Sequence, residues 1–136
     1  MAISIVRLGS PRQPDEGLRL GTVRRPPRGV RKADFAKRDF YDLWLPTLAP
    51  SEPLLKRVQH APAGTPEESK RAWRLFDRAF RAEMRLPDPA HLLDLLAALS
   101  HQTQLAVGCY CQDESRCHRS ILRQLLADRG AEIRNP

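Results

Sequence analysis

The chain opens on an alternating, β-branched stretch, Ala2-Ile-Ser-Ile-Val-Arg-Leu8, which predicts a strand. A segment punctuated by Gly and Pro, residues 9–17, separates it from a second predicted strand, Leu18–Val23. Pro26 and Pro27 stop regular structure beyond that point, and Phe40–Leu45 predicts a third, short strand. The apolar period then lengthens from two to about 3.6. Ser51 caps a predicted helix to about His60 that carries Leu54, Leu55 and Val58. Thr65-Pro-Glu-Glu68 has the form of a capping box with proline at the first helical position. Behind it Trp73, Phe76, Phe80 and Met84 form one apolar stripe at spacings of three and four, and Pro87 ends the helix. Asp88-Pro89 starts another, with Leu92, Leu95, Leu96 and Leu99 inward. Gln104–Tyr110 has the run of a buried strand. A final helix is predicted from about Arg116 to Asp128, with Ile121, Leu122, Leu125 and Leu126 inward and Gly130 just past its end. Ala131–Arg134 adds a last edge strand. This order predicts one α/β domain over residues 1–136, three-layer-like, with a short, largely parallel sheet flanked by helices. In such a sheet, ligands bind beyond the carboxyl ends of the strands.

Composition narrows the picture. A hydrophobic share of 41% in 136 residues supports one core and argues against global disorder. No apolar run approaches the roughly 20 residues of a membrane helix, and the N-terminus is charged too early for a signal peptide. The three cysteines fall within nine positions, which points away from a secreted disulfide scaffold and towards a reducing cytoplasm. Residues 1–38 hold ten Lys+Arg and three Asp+Glu, and the remaining 98 hold thirteen of each, so the net +7 belongs to the first stretch. Such an excess attracts nucleic acid or focuses a small anion. No helix-turn-helix or RNA-module pattern accompanies it.

The densest chemical segment is Cys109-Tyr-Cys-Gln-Asp-Glu-Ser-Arg-Cys-His-Arg119, where a predicted strand hands over to a helix. Four readings compete. With Ser115 as N-cap, the helix start offers free N–H groups to an anion, and Arg116 or Arg119 completes the clamp. The same field activates a cysteine, and Cys117 is the candidate nucleophile with His118 as proton carrier. Cys109, Cys111, Cys117 and His118 together are a set of ligands for zinc. Alternatively, Cys109 is a small core residue and the rest a polar loop. The spacing C-x-C-x5-C-H is not a common zinc pattern, and adjacent helical residues diverge by about 100°, so neither a metal nor a cofactor is expected. A phosphatase loop, Cys followed by five residues and Arg, is absent. His60, His91 and His101 have no acid or thiol at ligand spacing and are expected to be surface or capping residues.

Three segments in order carry a family resemblance: Val23-Arg-Arg-Pro-Pro-Arg-Gly-Val30, Leu43-Trp-Leu-Pro-Thr-Leu-Ala-Pro-Ser51, and Cys117-His-Arg119 opening the last helix. Trp73, Phe76 and Glu83 between them fit as well. On these residues the chain resembles the DUF488 family of bacteria and archaea. The resemblance covers most of the chain and implies a small cytoplasmic α/β domain, without supplying a reaction.

The sequence therefore predicts a pocket for a small anionic ligand, phosphate- or nucleotide-like, in which catalysis is conditional. Arg24, Arg25, Arg28, Ser115 and Arg119 are the expected anion-binding residues, and Cys117 and His118 the conditional catalytic pair. The rivals are a nucleic-acid-binding or regulatory partner protein and a thiol or redox protein using Cys117.

Overall fold

The computed structural model describes residues 1–59 and 64–134. Four strands, β1 (Ile3–Arg7), β2 (Leu18–Gly21), β3 (Leu43–Trp44) and β4 (Leu105–Cys109), form one sheet in the order β1-β4-β2-β3. Every pairing is parallel. Strand β4 lies between the first two, with Leu105 opposite both Ile3 and Leu18, and its run LAVGC is buried throughout. That continuous apolar run is what a strand with neighbours on both edges requires.

The helices are α1 (Glu52–Gln59), α2 (Pro66–Met84), α3 (Pro87–Leu99) and α4 (His118–Asp128). Thr65 caps α2 as the sequence predicts, its hydroxyl accepting the Glu68 N–H at 3.2 Å. Gly130, at φ +83°, follows the Arg129 C-cap of α4 and turns the chain back along β1. There Ile133 forms a single parallel bridge to Ile3, which replaces the predicted last strand. His60 lies outside the described residues. His101 Nε2 donates to the Gly130 carbonyl, 2.8 Å away.

All four helices pack on one face of the sheet. Leu54, Phe76, Phe80, Leu93, Leu96, Ile121 and Leu122 join Ile3, Leu20, Leu105 and Val107 in one core. The opposite face has no helix among the described residues; loops cover it. The arrangement is thus a helical layer on a sheet with a loop cover, not three layers. The reason is Arg19, which alternation places on the polar face of β2 yet is wholly buried. Its guanidinium pairs with the buried Glu16 at 2.6 Å and donates to the carbonyls of Ser10 and Asp39. The pair draws the 9–17 and 35–42 segments over the sheet. The lack of a side chain at Gly21 lets the Tyr41 ring lie against β2, where a Cβ would overlap it.

Candidate functional site

At the carboxyl ends of β1, β4 and β2 the chain turns carry the polar residues inward. Cys109 ends β4, and Cys117 is the N-cap of α4. Ser115 is therefore not the cap of α4. It lies in a 3-10 turn, Glu114–Arg116, with its hydroxyl and amide both directed to Asp113. Helix α4 starts two residues later than the sequence predicts because Cys117 is extended, at φ −128° and ψ 150°.

That extended residue changes the geometry of the cysteine segment. Adjacent side chains no longer diverge as on a helix, and Cys117 Sγ and His118 Nδ1 lie 3.7 Å apart. Cys109 Sγ joins them, all three atoms falling within 4.8 Å of one another. Cys109, Cys117 and His118 are buried, at 1%, 2% and 8% exposure, whereas Cys111 is exposed. All three thiols are free. His118 Nε2 is 2.6 Å from the Thr22 carbonyl. A carbonyl only accepts, so Nε2 carries the proton and Nδ1 turns its lone pair to the sulfurs. Burial lowers the His118 pKa, which keeps the ring neutral.

The sulfurs share one another's charge. Cys111 is held well below the usual thiol range by the neighbouring thiols of Cys109 and Cys117, with His118 and Arg119 adding to the effect. Cys109 is pushed up, first by Cys111 and Cys117 and then by burial. At Cys117 the contact with Cys109 acts downward, but Cys111 and burial outweigh it and the thiol is raised. Cys111 is the exposed thiol and is shifted downward, whereas Cys117, the candidate the sequence offers, is buried and shifted upward. The sequence singles out Cys117 by its place at the helix start and does not show burial, which depends on how the 110–117 loop folds over the strand ends.

Arg119 stands beside them. The residue is 3% exposed, and its guanidinium donates through Nη2 to the Cys111 carbonyl and leaves Nε without a hydrogen-bond partner among the described residues. No carboxylate among the described residues forms an ion pair with it. Burial works against its charge, but Cys109 and Cys117 keep its pKa raised.

The other predicted anion ligands reach the same end of the sheet with different partners. Arg24 donates to the carbonyls of Pro46, Ala49 and Pro50 and so fixes the loop before α1. Arg25 pairs with Glu52 at 2.9 Å on the surface, while its carbonyl accepts the Tyr110 hydroxyl at 3.0 Å. Arg28 is exposed and enters no ion pair among the described residues. The two arginine-bearing turns therefore meet side by side, joined by the Tyr110–Arg25 and His118–Thr22 hydrogen bonds. A cleft of about 320 Å³ opens at the end of β1, lined by Arg7, Leu8, Gly9, Ser10 and Phe40, and none of the predicted anion-binding residues lines it. Leu8 also packs in the cluster that contains Cys109, Cys117 and Tyr41, so the cleft adjoins the sulfurs. Tyr41, which sequence reasoning did not single out, has a buried hydroxyl without a partner.

A family model described as the active DUF488-N3 subclade, DUF488-N3a, matches residues 3–130. That span includes every residue of the site. No curated protein and no solved structure matches the chain. No helix among the described residues is long and apolar enough to cross a membrane.

Proposed function

This chain belongs to the DUF488 family, and from that premise we propose that it binds a small anionic ligand, phosphate- or nucleotide-like, at the carboxyl ends of β1, β4 and β2. One observation carries the reading: Arg119 is a buried cation with no carboxylate partner among the described residues. An unpaired buried charge is costly, so the site favours a negative group beside it. The first turn of α4 adds free N–H groups and the positive end of a dipole in the same place. Arg119 neutralises the ligand, and the exposed Arg28 adds charge at the mouth. Arg25 joins once Glu52 releases it, and Arg24 and Ser115 shape the two turns.

Sulfate or phosphate, titrated into the full chain, is expected to raise the melting temperature of the wild type. The shift should vanish in Arg119→Ala and survive in part in Arg119→Lys, which keeps the charge but loses the fork. Equal shifts in all three proteins would overturn the reading, and because each shift is taken against the same protein without anion, a lower starting stability does not confuse it.

A second reading rests on the exposure of Cys111 beside two buried thiols. In it Cys111, not Cys117, is the nucleophile, and the description of the matching family as active supports a reaction. Iodoacetamide at neutral pH should then alkylate Cys111 well ahead of Cys109 and Cys117, as read by peptide mass spectrometry. Equal labelling of the three ends this reading. Free thiols of this kind fit a reducing, cytoplasmic setting.

A further inference from the structure

The geometry points to a metal centre: we propose that Cys109 Sγ, Cys117 Sγ and His118 Nδ1 hold one thiophilic divalent cation, zinc by preference, and that the exposed Cys111, which lies outside this close group, swings in from the solvent side as the fourth ligand. The three buried ligand atoms lie within 4.8 Å of one another. A tetrahedral zinc with Zn–S of about 2.3 Å and Zn–N of about 2.0–2.1 Å has a sulfur-to-nitrogen edge of about 3.6 Å. The Cys117 Sγ to His118 Nδ1 distance is 3.7 Å, so this edge is already in place.

The imidazole is prepared for the same role. A zinc-bound histidine usually donates its other ring N–H to a carbonyl or carboxylate, which fixes the tautomer and the ring plane. His118 Nε2 meets the Thr22 carbonyl at 2.6 Å and leaves Nδ1 free towards the sulfurs. Phe80 packs edge-on against the ring at 5.5 Å between centroids, which holds its orientation. Cys109 comes from the end of the central strand, and Cys117 and His118 from the start of a helix, so three ligands sit on rigid elements.

Charge agrees with the assignment. Three thiolates, a neutral imidazole and a divalent cation sum to one negative charge. Arg119, buried and without a carboxylate partner among the described residues, supplies the matching positive charge and anchors the loop through the Cys111 carbonyl. Soft thiolate ligands select zinc over magnesium or calcium. The plainer alternative treats Cys109 and Cys117 as core packing residues. It leaves unexplained why a buried imidazole lone pair and a buried guanidinium both face them.

The proposal shares Arg119 with the anion reading but not the ligand, since it concerns a cation held by sulfur and nitrogen, whose thiolates would themselves balance the Arg119 charge. The test uses the full chain, purified without an affinity tag, kept reduced by a phosphine and stripped with a chelator. Cobalt(II) added to it should bind one equivalent and show strong sulfur-to-metal charge-transfer absorption in the near ultraviolet. Zinc should displace the cobalt and raise the melting temperature. Cys111→Ser, at an exposed position, should fold and still bind cobalt, with weaker charge transfer and a zinc affinity lower by at least about tenfold. A cobalt spectrum like that of the hydrated ion, together with no thermal shift from zinc, would overturn the site. Unchanged zinc affinity in Cys111→Ser would overturn the fourth ligand. Phosphate titrated into the stripped and the zinc-loaded proteins separates the readings, because the anion reading fails or holds on the stripped protein alone.

Discussion

At the scale of single residues, the molecule hinges on two buried arginines with opposite circumstances. Arg19 has a full set of partners: Glu16 in a paired salt bridge and two loop carbonyls. Arg119 has one carbonyl and an unpartnered Nε. The first is architecture and the second faces the site. Removing Arg19 strands the Glu16 carboxylate, which is 2% exposed, and breaking a buried pair from one side costs about 3–5 kcal/mol. Urea denaturation of Arg19→Met should show a loss of that order, and Glu16→Gln added to it should recover part of the loss. A cost below about 1 kcal/mol, the range of an exposed pair, would mean that the loops close over the sheet without this bridge.

At the scale of elements, the helices were legible in the sequence and the loop cover was not. The capping box at Thr65, the stripe from Trp73 to Met84 and the buried run of β4 are local patterns, and local patterns survive into the fold. The start of α4 was displaced because Cys117 takes the extended conformation of a cap, and this also brings its sulfur to His118. The sequence listed the four ligand-type side chains but could not show which of them meet: Cys109, Cys117 and His118 come together only when the loop after β4 folds back to α4, and the imidazole is oriented by the Thr22 carbonyl from more than ninety residues away. The predicted third strand is shorter in the fold, Leu43–Trp44, and the side chain of Asp42 before it serves another end. Its carboxylate accepts the Arg19 amide at 2.8 Å and both terminal nitrogens of Arg12, tying the 9–17 segment to the sheet edge. Burial alone would raise the Asp42 pKa, yet the Arg12 hydrogen bond and the Arg19 amide hold it below the ordinary 3.8. A carboxylate lowered by folding contributes stability above its unfolded pKa and loses it as pH falls through the folded value. The stability difference between wild type and Asp42→Asn, measured by urea denaturation, should therefore be full near neutrality and shrink below about pH 4. A difference that is constant down to pH 2 or so would show that Asp42 acts by shape and not by charge.

At the scale of the whole molecule, the question is what the net charge of +7 is for. The basic excess of residues 1–38 suggests a nucleic-acid surface only while those side chains are taken as free. In the fold, Arg12, Arg19, Arg25 and Arg31 are paired with carboxylates. Arg7 and Arg24 direct their donors to backbone carbonyls. Arg28, Lys32, Lys37 and Arg38 remain, and Arg38 lies over the Phe40 ring at 5.8 Å. Among the described residues, three cations of this stretch are thus available to a phosphate backbone without breaking an internal contact, and Arg38 is a fourth once it leaves the Phe40 ring. Each phosphate neutralised on duplex DNA contributes about −0.9 to the slope of log affinity against log salt, so four give a slope no steeper than about −4. Binding of a non-specific duplex, followed by fluorescence anisotropy from low to moderate salt, should stay within that limit. Sulfate at the same ionic strength should still stabilise the protein, because Arg119 is buried and buried charges are screened less than exposed ones. A slope of about −6 or steeper would mean that the internal pairs open to phosphate, and the basic stretch would then be a nucleic-acid surface in its own right. A shallow slope together with a sulfate response lost in Arg119→Ala places the functional charge at the ends of β2 and β4, where a single buried guanidinium outweighs a surface rich in arginines that are already engaged.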